Sequence, residues 1–367
     1  MTWRGFRVLI AIILIALLCK ACLVKDTVPN NQKRIQTESD KLQVNYPAPK
    51  NVTINGIDYL ESTAPIGKFG GELVSSTIGE GPKTFNPFNC KDNTSQTMAS
   101  IMYDGLLTSD PITGQPTPKL AKSFSISPNG KTYTIKLRCG IKWSDGKPIT
   151  ADDVVFTWND IIFAGLGDTS TRDSIVIDGK LPTVKKIDNY TVEFTTPKPF
   201  APFIRMLSTS IAPKHVFMPA IKKGSAYFDS FLSTNTKPSD FVVSGAFKLK
   251  EYVPAQRVVF ERNPNYYEIN SKGQKLPYLD KLVYLIVGDL NNEVLKFEAK
   301  ELDVISLQGS KVARYKSLEP HSDFKLYNLG PDTGTMYLSM NLNNRKNNKW
   351  NLDICNRLCT KKFNNKW

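Results

Sequence analysis

The chain has 367 residues with 41% apolar, 22% charged and 10% aromatic side chains, enough for two or three packed domains and against disorder throughout. The formal net charge is +14, but residues 1–22 contribute +3 and residues 341–367 contribute +6, leaving only +5 for residues 23–340. That spread, without a Lys/Arg block, excludes a nucleic-acid-binding reading of the body of the chain.

The N-terminus, "MTWRGFRVLIAIILIALLCKAC", has a basic start, an eleven-residue apolar run from Val8 to Leu18, and a small-residue end with cysteines. The run is too short to span a bilayer and has the length of a signal-peptide core, so residues 1–22 are read as an export signal. Cys22 after Ala21 resembles a bacterial lipobox, which implies lipidation of Cys22 and a lipid anchor; Cys19 and Lys20 depart from that pattern. A short N-terminal anchor helix is the alternative, and both put the mature chain outside the cytoplasm. Residues 23–66 are polar, without a sustained period, and read as a tether. A strand layer at "NVTINGIDYL" stays open.

The folded part starts at "GKFGGELVSSTIGE", where Leu73 and Val74 enter a sheet. The loop "EGPKTFNPFNCKDNTSQTMAS" leads into a helix expected from Thr94 to Leu106. Pro128-Asn129-Gly130 marks a hairpin turn, followed by a strand whose Tyr133, Ile135 and Leu137 alternate with polar residues. Ser144-Asp145-Gly146 is a second turn. Thr150 then caps a helix, with Asp152 and Asp153 in its first turn and Val154, Val155, Trp158, Ile161 and Ile162 on one face. A hairpin turns at Asp188-Asn189, proline-punctuated short helices occupy "APFIRML" and "APKHVFMPAI", and a third hairpin turns at Pro254-Ala255. "LDKLVYLIVGDLNNEVLKFEAKELDVISLQ" reads strand, helix, strand, as in an α/β sheet. The end, "NLNNRKNNKWNLDICNRLCTKKFNNKW", is dominated by Asn and Lys and reads as a polar tail or an interrupted sequence.

Catalytic patterns are absent: no nucleophile elbow, zincin motif, phosphate-binding loop or dinucleotide fingerprint. Of the two histidines, His215 sits among apolar residues and reads as structural. Cys90 and Cys139 either pair in an oxidising compartment or stay as two thiols. Cys355 and Cys359 have metal-like spacing without a second pair, so no metal or cofactor is expected. An exported α/β chain of this kind reads as a binding protein rather than an enzyme.

"LAKSFSISPNGKTYTIKLRCGIKWSDGKPITADDVVFTW" resembles the signature region of bacterial extracellular solute-binding proteins of family 5, the peptide-, dipeptide- and nickel-type receptors of ABC importers. The resemblance is carried by Ala121, by Tyr133, Ile135, Leu137 and Arg138, by the run Gly140 to Gly146, and by Pro148, Thr150, Ala151, Asp153 and Val154. Cys139 replaces a residue that is usually acidic. "NPFNCKDNTS", "IMYDGLL", "APKHV", "SGAFKLKEY" and "RNPNYYE" follow in the family's order.

The resemblance implies an α/β fold of the periplasmic-binding-protein-like type II clamp: a first lobe with an inserted α+β subdomain, and a second lobe largely missing because relatives run well beyond "YLSMNLN". The division it implies is 67–106 and 204–330 for the first lobe, 107–203 for the inserted subdomain, and 331–367 for the start of the second lobe. It also implies a peptide or other small solute as ligand, ABC permease subunits in the inner membrane as partners, and ligand contacts from Asn89, Lys91, Asp92, Asn93, Thr94 and Tyr103. Trp143, Tyr103 and Tyr266 equally suit packing roles. The competing readings are an exported lipoprotein with an adhesive or structural role, and an extracellular hydrolase on the same scaffold.

Overall fold

The computed structural model describes residues 49–110, 113–307 and 309–328. The signal peptide, Cys22, the first part of the tether, the tail 331–367 and Cys355/Cys359 lie outside the described residues. The chain divides into two compact units, Val44–Gly309 and a second made of Met1–Gln43 with Ser310–Trp367. The segments expected as 67–106 and 107–203, and residues 204–309 of the segment expected as 204–330, fall in the first unit, while Ser310 and the residues after it fall in the second.

The tether reading of 23–66 fails from Lys50 onward. Strands β1 (Lys50–Ile54) and β2 (Ile57–Glu61) form an antiparallel hairpin, and β2 pairs in parallel with β12 (Glu268–Ile269). The signal was present: Asn55-Gly56 takes φ of 51° and 77°, the doubly left-handed turn that a two-residue hairpin needs. The open alternative at "NVTINGIDYL" is the observed one.

A mixed four-stranded sheet runs in the order β10 (Phe247–Val253), β11 (Arg257–Arg262), β13 (Lys281–Val287), β3 (Glu72–Ile78), with β13 and β3 parallel. An antiparallel sheet has the order β6 (Ala121–Ile126), β7 (Thr132–Leu137), β9 (Thr191–Thr195), β8 (Thr183–Asp188). Both expected hairpin turns of this sheet are present. Short strands β4 (Leu107–Ser109) and β5 (Pro116–Pro118) pair with each other.

Tyr133, Ile135 and Leu137 all point inward from β7 and are buried. They join Trp143, Trp158, Phe194 and Phe203 in a core beneath the antiparallel sheet. Helix α2 (Ala151–Phe156), continued by a π-helical turn (Thr157–Phe163), covers that sheet. It starts at Thr150 as expected, and the Asp153 carboxylate accepts the Thr150 N–H at 3.0 Å. A second core gathers Phe85, Met98, Phe217, Phe228 and Phe260 behind the mixed sheet. Each buried phenyl ring contributes roughly 1.5–3 kcal/mol by leaving water.

Two sequence expectations change. Helix α1 spans Asn93–Met102, not Thr94 to Leu106. Tyr103 is already extended, and Asp104 accepts the Ile211 N–H at 3.0 Å, drawing the chain into pairing with residues 208–211. The strand expected after α7 (Leu290–Glu298) is not formed. There Asp303 alone meets the outer edge of β3: its N–H goes to the Val74 carbonyl at 2.8 Å and its carboxylate takes the Val74 N–H at 2.7 Å. A side chain thus replaces the main-chain acceptor that a ladder would need.

The described part of the second unit holds helix α8 (Gly309–Leu318) from its second residue onward and a following turn, with the Tyr315 and Phe324 rings 5.5 Å apart.

Candidate functional site

Parallel pairing brings Ile78 and Val287, the last residues of β3 and β13, to the same edge of the mixed sheet. Ligands of open α/β sheets bind beyond the carboxyl ends of such strands. Two helix starts converge there. Asp289 caps α7 directly after β13, its Oδ1 accepting the N–H groups of Asn291 at 2.7 Å and Asn292 at 2.9 Å. Asp92 caps α1, its Oδ1 accepting the Ser95 N–H at 2.8 Å and its Oδ2 the Ser95 hydroxyl at 2.6 Å.

Both helices are fastened to the end of β3. Ser76 and Thr77 are neighbours on the strand, so their side chains leave opposite faces. The Ser76 hydroxyl donates to Glu293 Oε1 of α7 at 2.5 Å, and the Thr77 hydroxyl lies 3.0 Å from that of Thr94 in α1. Ile78 and Leu295 are exposed near this edge. A depression of about 360 Å³ lies beside it, lined by Val287, Gly288, Asn292, Leu295 and Lys296 among others.

The sequence-derived residues fall in different places. Lys91 and Asn93 are exposed, Asp92 is the cap, and Thr94 holds the strand. Asn89 is committed to scaffold: its amide donates to the carbonyls of Phe228 at 3.0 Å and Asp229 at 3.2 Å. Gly167 packs so closely on this loop that a Cβ would sit 2.3 Å from the Asn89 Oδ1 and from the Phe88 carbonyl. Tyr103 is not brought to the loop. It is 2% exposed in the aromatic core, and burial raises its phenol well above the usual range. Trp143 and Tyr266 are also buried.

Cys90 and Cys139 are both free thiols. Burial, with Asp92 and Asp168 adding to it, pushes the Cys90 thiol up to about 12. Cys139 sits against the β1–β2 hairpin, its N–H donating to Asp58 Oδ2 at 3.1 Å.

A part-buried charge network was not read from the sequence. Lys119 Nζ donates to Tyr266 Oη at 2.7 Å and to Glu268 Oε1 at 2.5 Å, and lies 3.9 Å from Asp104 Oδ1. Tyr267 Oη donates to Asp104 Oδ2 at 2.8 Å. Burial raises the Asp104 carboxyl, an effect that Lys119 opposes. Arg138, fully buried next to it, donates to the Lys119 carbonyl at 2.7 Å and to Asn51 Oδ1 at 2.8 Å. The network ties β12 and the β1–β2 hairpin to the antiparallel sheet. His215 also has a structural partner, Asp145, at 2.8 Å.

The family model of bacterial extracellular solute-binding proteins, family 5 middle, matches residues 115–366. The chain belongs to this family. Its members are binding proteins of the space outside the cytoplasm, and relatives are substrate-binding components of ABC transporters. The probable ABC transporter-binding protein of Deinococcus radiodurans is 36% identical over 242 residues, covering 64% of this chain and 40% of that protein. The Bacillus subtilis oligopeptide-binding protein AppA, solved with a nonapeptide, aligns with a TM-score of 0.56 at 28% identity, covering 69% of this chain and 47% of that one. The periplasmic binding protein MelB of Agrobacterium fabrum, solved with stachyose, aligns with a TM-score of 0.61 at 26% identity, covering 72% and 42%. The chain spans less than half the length of each of these. Among the described residues no helix is long and apolar enough to cross a membrane.

Proposed function

We propose that this family 5 chain captures a peptide outside the cytoplasm and hands it to the permease of an ABC importer. The reading rests on one observation above others. Helix starts α1 and α7 are both clipped to the end of β3, on an edge that a ligand can approach. In this reading Lys91, Asn93 and the backbone of 91–94 face the ligand, with Asp92 and Thr94 holding that loop in place. Asn89 supports the loop from below, and Tyr103 packs the helix. The divisions 67–106, 107–203 and 204–330 serve as the parts of the first lobe and its inserted subdomain. Export by residues 1–22 and a lipid on Cys22 complete the proposal.

Peptide is preferred to sugar because the AppA relative was solved with a peptide. MelB, solved with stachyose, makes an oligosaccharide the natural control.

The test is thermal unfolding of the purified full chain with and without mixed short peptides, and with stachyose. Binding to the native state raises the midpoint by mass action. A saturable rise with peptides alone supports the proposal. A rise with stachyose alone moves the ligand class to sugars. A cooperative transition that neither ligand shifts removes the solute-binding role and leaves the adhesive reading.

A further inference from the structure

Loop 88–91 is held from two sides by segments distant in sequence. On one side the Asn89 amide donates to the carbonyls of Phe228 and Asp229. On the other lies the turn 164–168, which follows the π-helical turn over the antiparallel sheet. The Asp168 N–H donates to the Phe88 carbonyl at 2.6 Å. Gly167 takes φ of 70°, and a Cβ on it would stand 2.3 Å from both the Phe88 carbonyl oxygen and Asn89 Oδ1. That Oδ1 is shut off from water and has no hydrogen-bond partner among the described residues, so it lies against the bare glycine without a bond to hold it.

We infer that Gly167 is a positioning residue of the proposed binding site: by its bareness it sets where loop 88–94 sits, and thereby the affinity for the solute. The inference rests on the solute-binding reading above. Two demands meet at Gly167. The first is a left-handed backbone, which it shares with Gly165 at φ of 72°. The second is close approach, which Gly165 lacks: a Cβ there would meet only side-chain atoms of Arg172 and Thr169, the nearest at an ordinary 3.5 Å. At Gly167 the neighbours are a backbone carbonyl and an amide already committed to two other carbonyls, so neither swings aside freely. The loop itself must move, by about 1 Å, before the 2.3 Å approach opens to an ordinary contact. Binding groups have to be held within about 0.5 Å of their productive places. A shift at 88–89 passes along a short stretch of chain to Lys91, to the Asp92 cap and to Asn93.

The experiment compares Gly167→Ala and Gly165→Ala with the natural full chain. The first reading is the apparent dissociation constant for mixed short peptides, taken from the midpoint rise over a concentration series. The same series is run with stachyose if the natural chain responds to that instead. The second reading is the rate at which iodoacetamide labels Cys90, inside the loop, relative to Cys139. Both variants carry the left-handed strain, so both melt earlier. Gly167→Ala alone is expected to bind about tenfold more weakly and to label Cys90 several-fold faster, with Cys139 unchanged. A glycine with a purely structural role would lower both midpoints and leave the two readings alike in the two variants, and that result overturns the inference alone. Equal affinity of Gly167→Ala and the natural chain also overturns it alone, even where Cys90 labels faster. A natural chain whose midpoint neither ligand shifts overturns the solute-binding reading and the inference with it. If Gly167→Ala does not fold, amide exchange on the natural chain decides. Bound ligand should slow the Asp168 N–H, whose acceptor is the loop, several-fold, and exchange that ligand leaves unchanged overturns the inference.

Discussion

The hydroxyls of Thr77 and Thr94 lie 3.0 Å apart, joining the end of β3 to the first turn of α1. One residue earlier on the strand, Ser76 does the same for α7 on the other face. A single strand end therefore sets the position of both helix starts. A change at Thr77 or Thr94 should disturb the loop 91–94, and a change at Ser76 or Glu293 the start of α7, before either disturbs the cores.

Asp92 holds that loop by capping α1, and its second oxygen takes the Ser95 hydroxyl. Ser95 Oγ in turn accepts the Lys83 N–H at 2.9 Å. Asp92→Ala should cost about 0.5–2 kcal/mol, as lost caps do. Urea denaturation checks this as a lower midpoint with an unchanged slope.

Lys119 answers two carboxylates at once, with Asp104 at 3.9 Å and Glu268 at 2.5 Å. Lys119→Met leaves both acids without their cation, and breaking one side of a buried pair costs about 3–5 kcal/mol. Adding Asp104→Asn and Glu268→Gln to Lys119→Met should recover a large part of that loss. A triple variant no more stable than Lys119→Met would show that the lysine acts by packing alone.

Asp58 predicts a particular acid response. Burial pushes its carboxyl up, but the Thr53 hydroxyl, Lys122 and the Cys139 N–H outweigh burial and hold it below the usual range. A carboxyl lowered in the folded state stabilises the fold above its unfolded value, near pH 4, and loses that contribution as pH falls through the lowered value. Asp58→Asn should therefore be less stable than the natural chain at pH 7. The gap should close as pH falls towards 2, read from melting temperatures across that range.

Cys90 is expected to be a slow thiol. Burial and two nearby carboxylates raise it to about 12, so little thiolate forms at pH 8. Iodoacetamide at that pH should label Cys90 in the native chain far more slowly than after unfolding in guanidinium, measured by peptide mass mapping. Equal rates in both states would place Cys90 at an open surface.

Gly245 carries a steric demand. A Cβ there would lie 2.4 Å from the Ile101 carbonyl oxygen and 2.9 Å from that of Met102, both backbone atoms of α1. Gly245→Ala should cost about 1–3 kcal/mol, the usual range for overpacking. Thermal unfolding of the single variant measures it.

Local chemistry made much of the fold legible. The turn residues at 128–130 and 188–189, the alternation of Tyr133, Ile135 and Leu137, and the Thr150 cap each act within a few residues, so their outcome is written where they stand. The family signature is built from the same short signals. Asn55-Gly56 was equally local, and the surrounding polar composition hid it. The candidate site was legible only as a loop, 89–94, whose residues proved to be part surface and part scaffold.

What the sequence by itself determined was which short segments become strands, turns and helices, and which family they compose. The tertiary structure alone decided how distant segments meet: β2 against β12, Lys119 between Asp104 and Glu268, Val74 against Asp303, and Ser76 against Glu293 across 217 residues. The physical reason is range. A turn or cap is settled by bonds within one or two turns of chain, whereas a buried charge or a sheet neighbour is chosen by whichever distant group the collapsed cores bring within about 3 Å, the reach of a hydrogen bond.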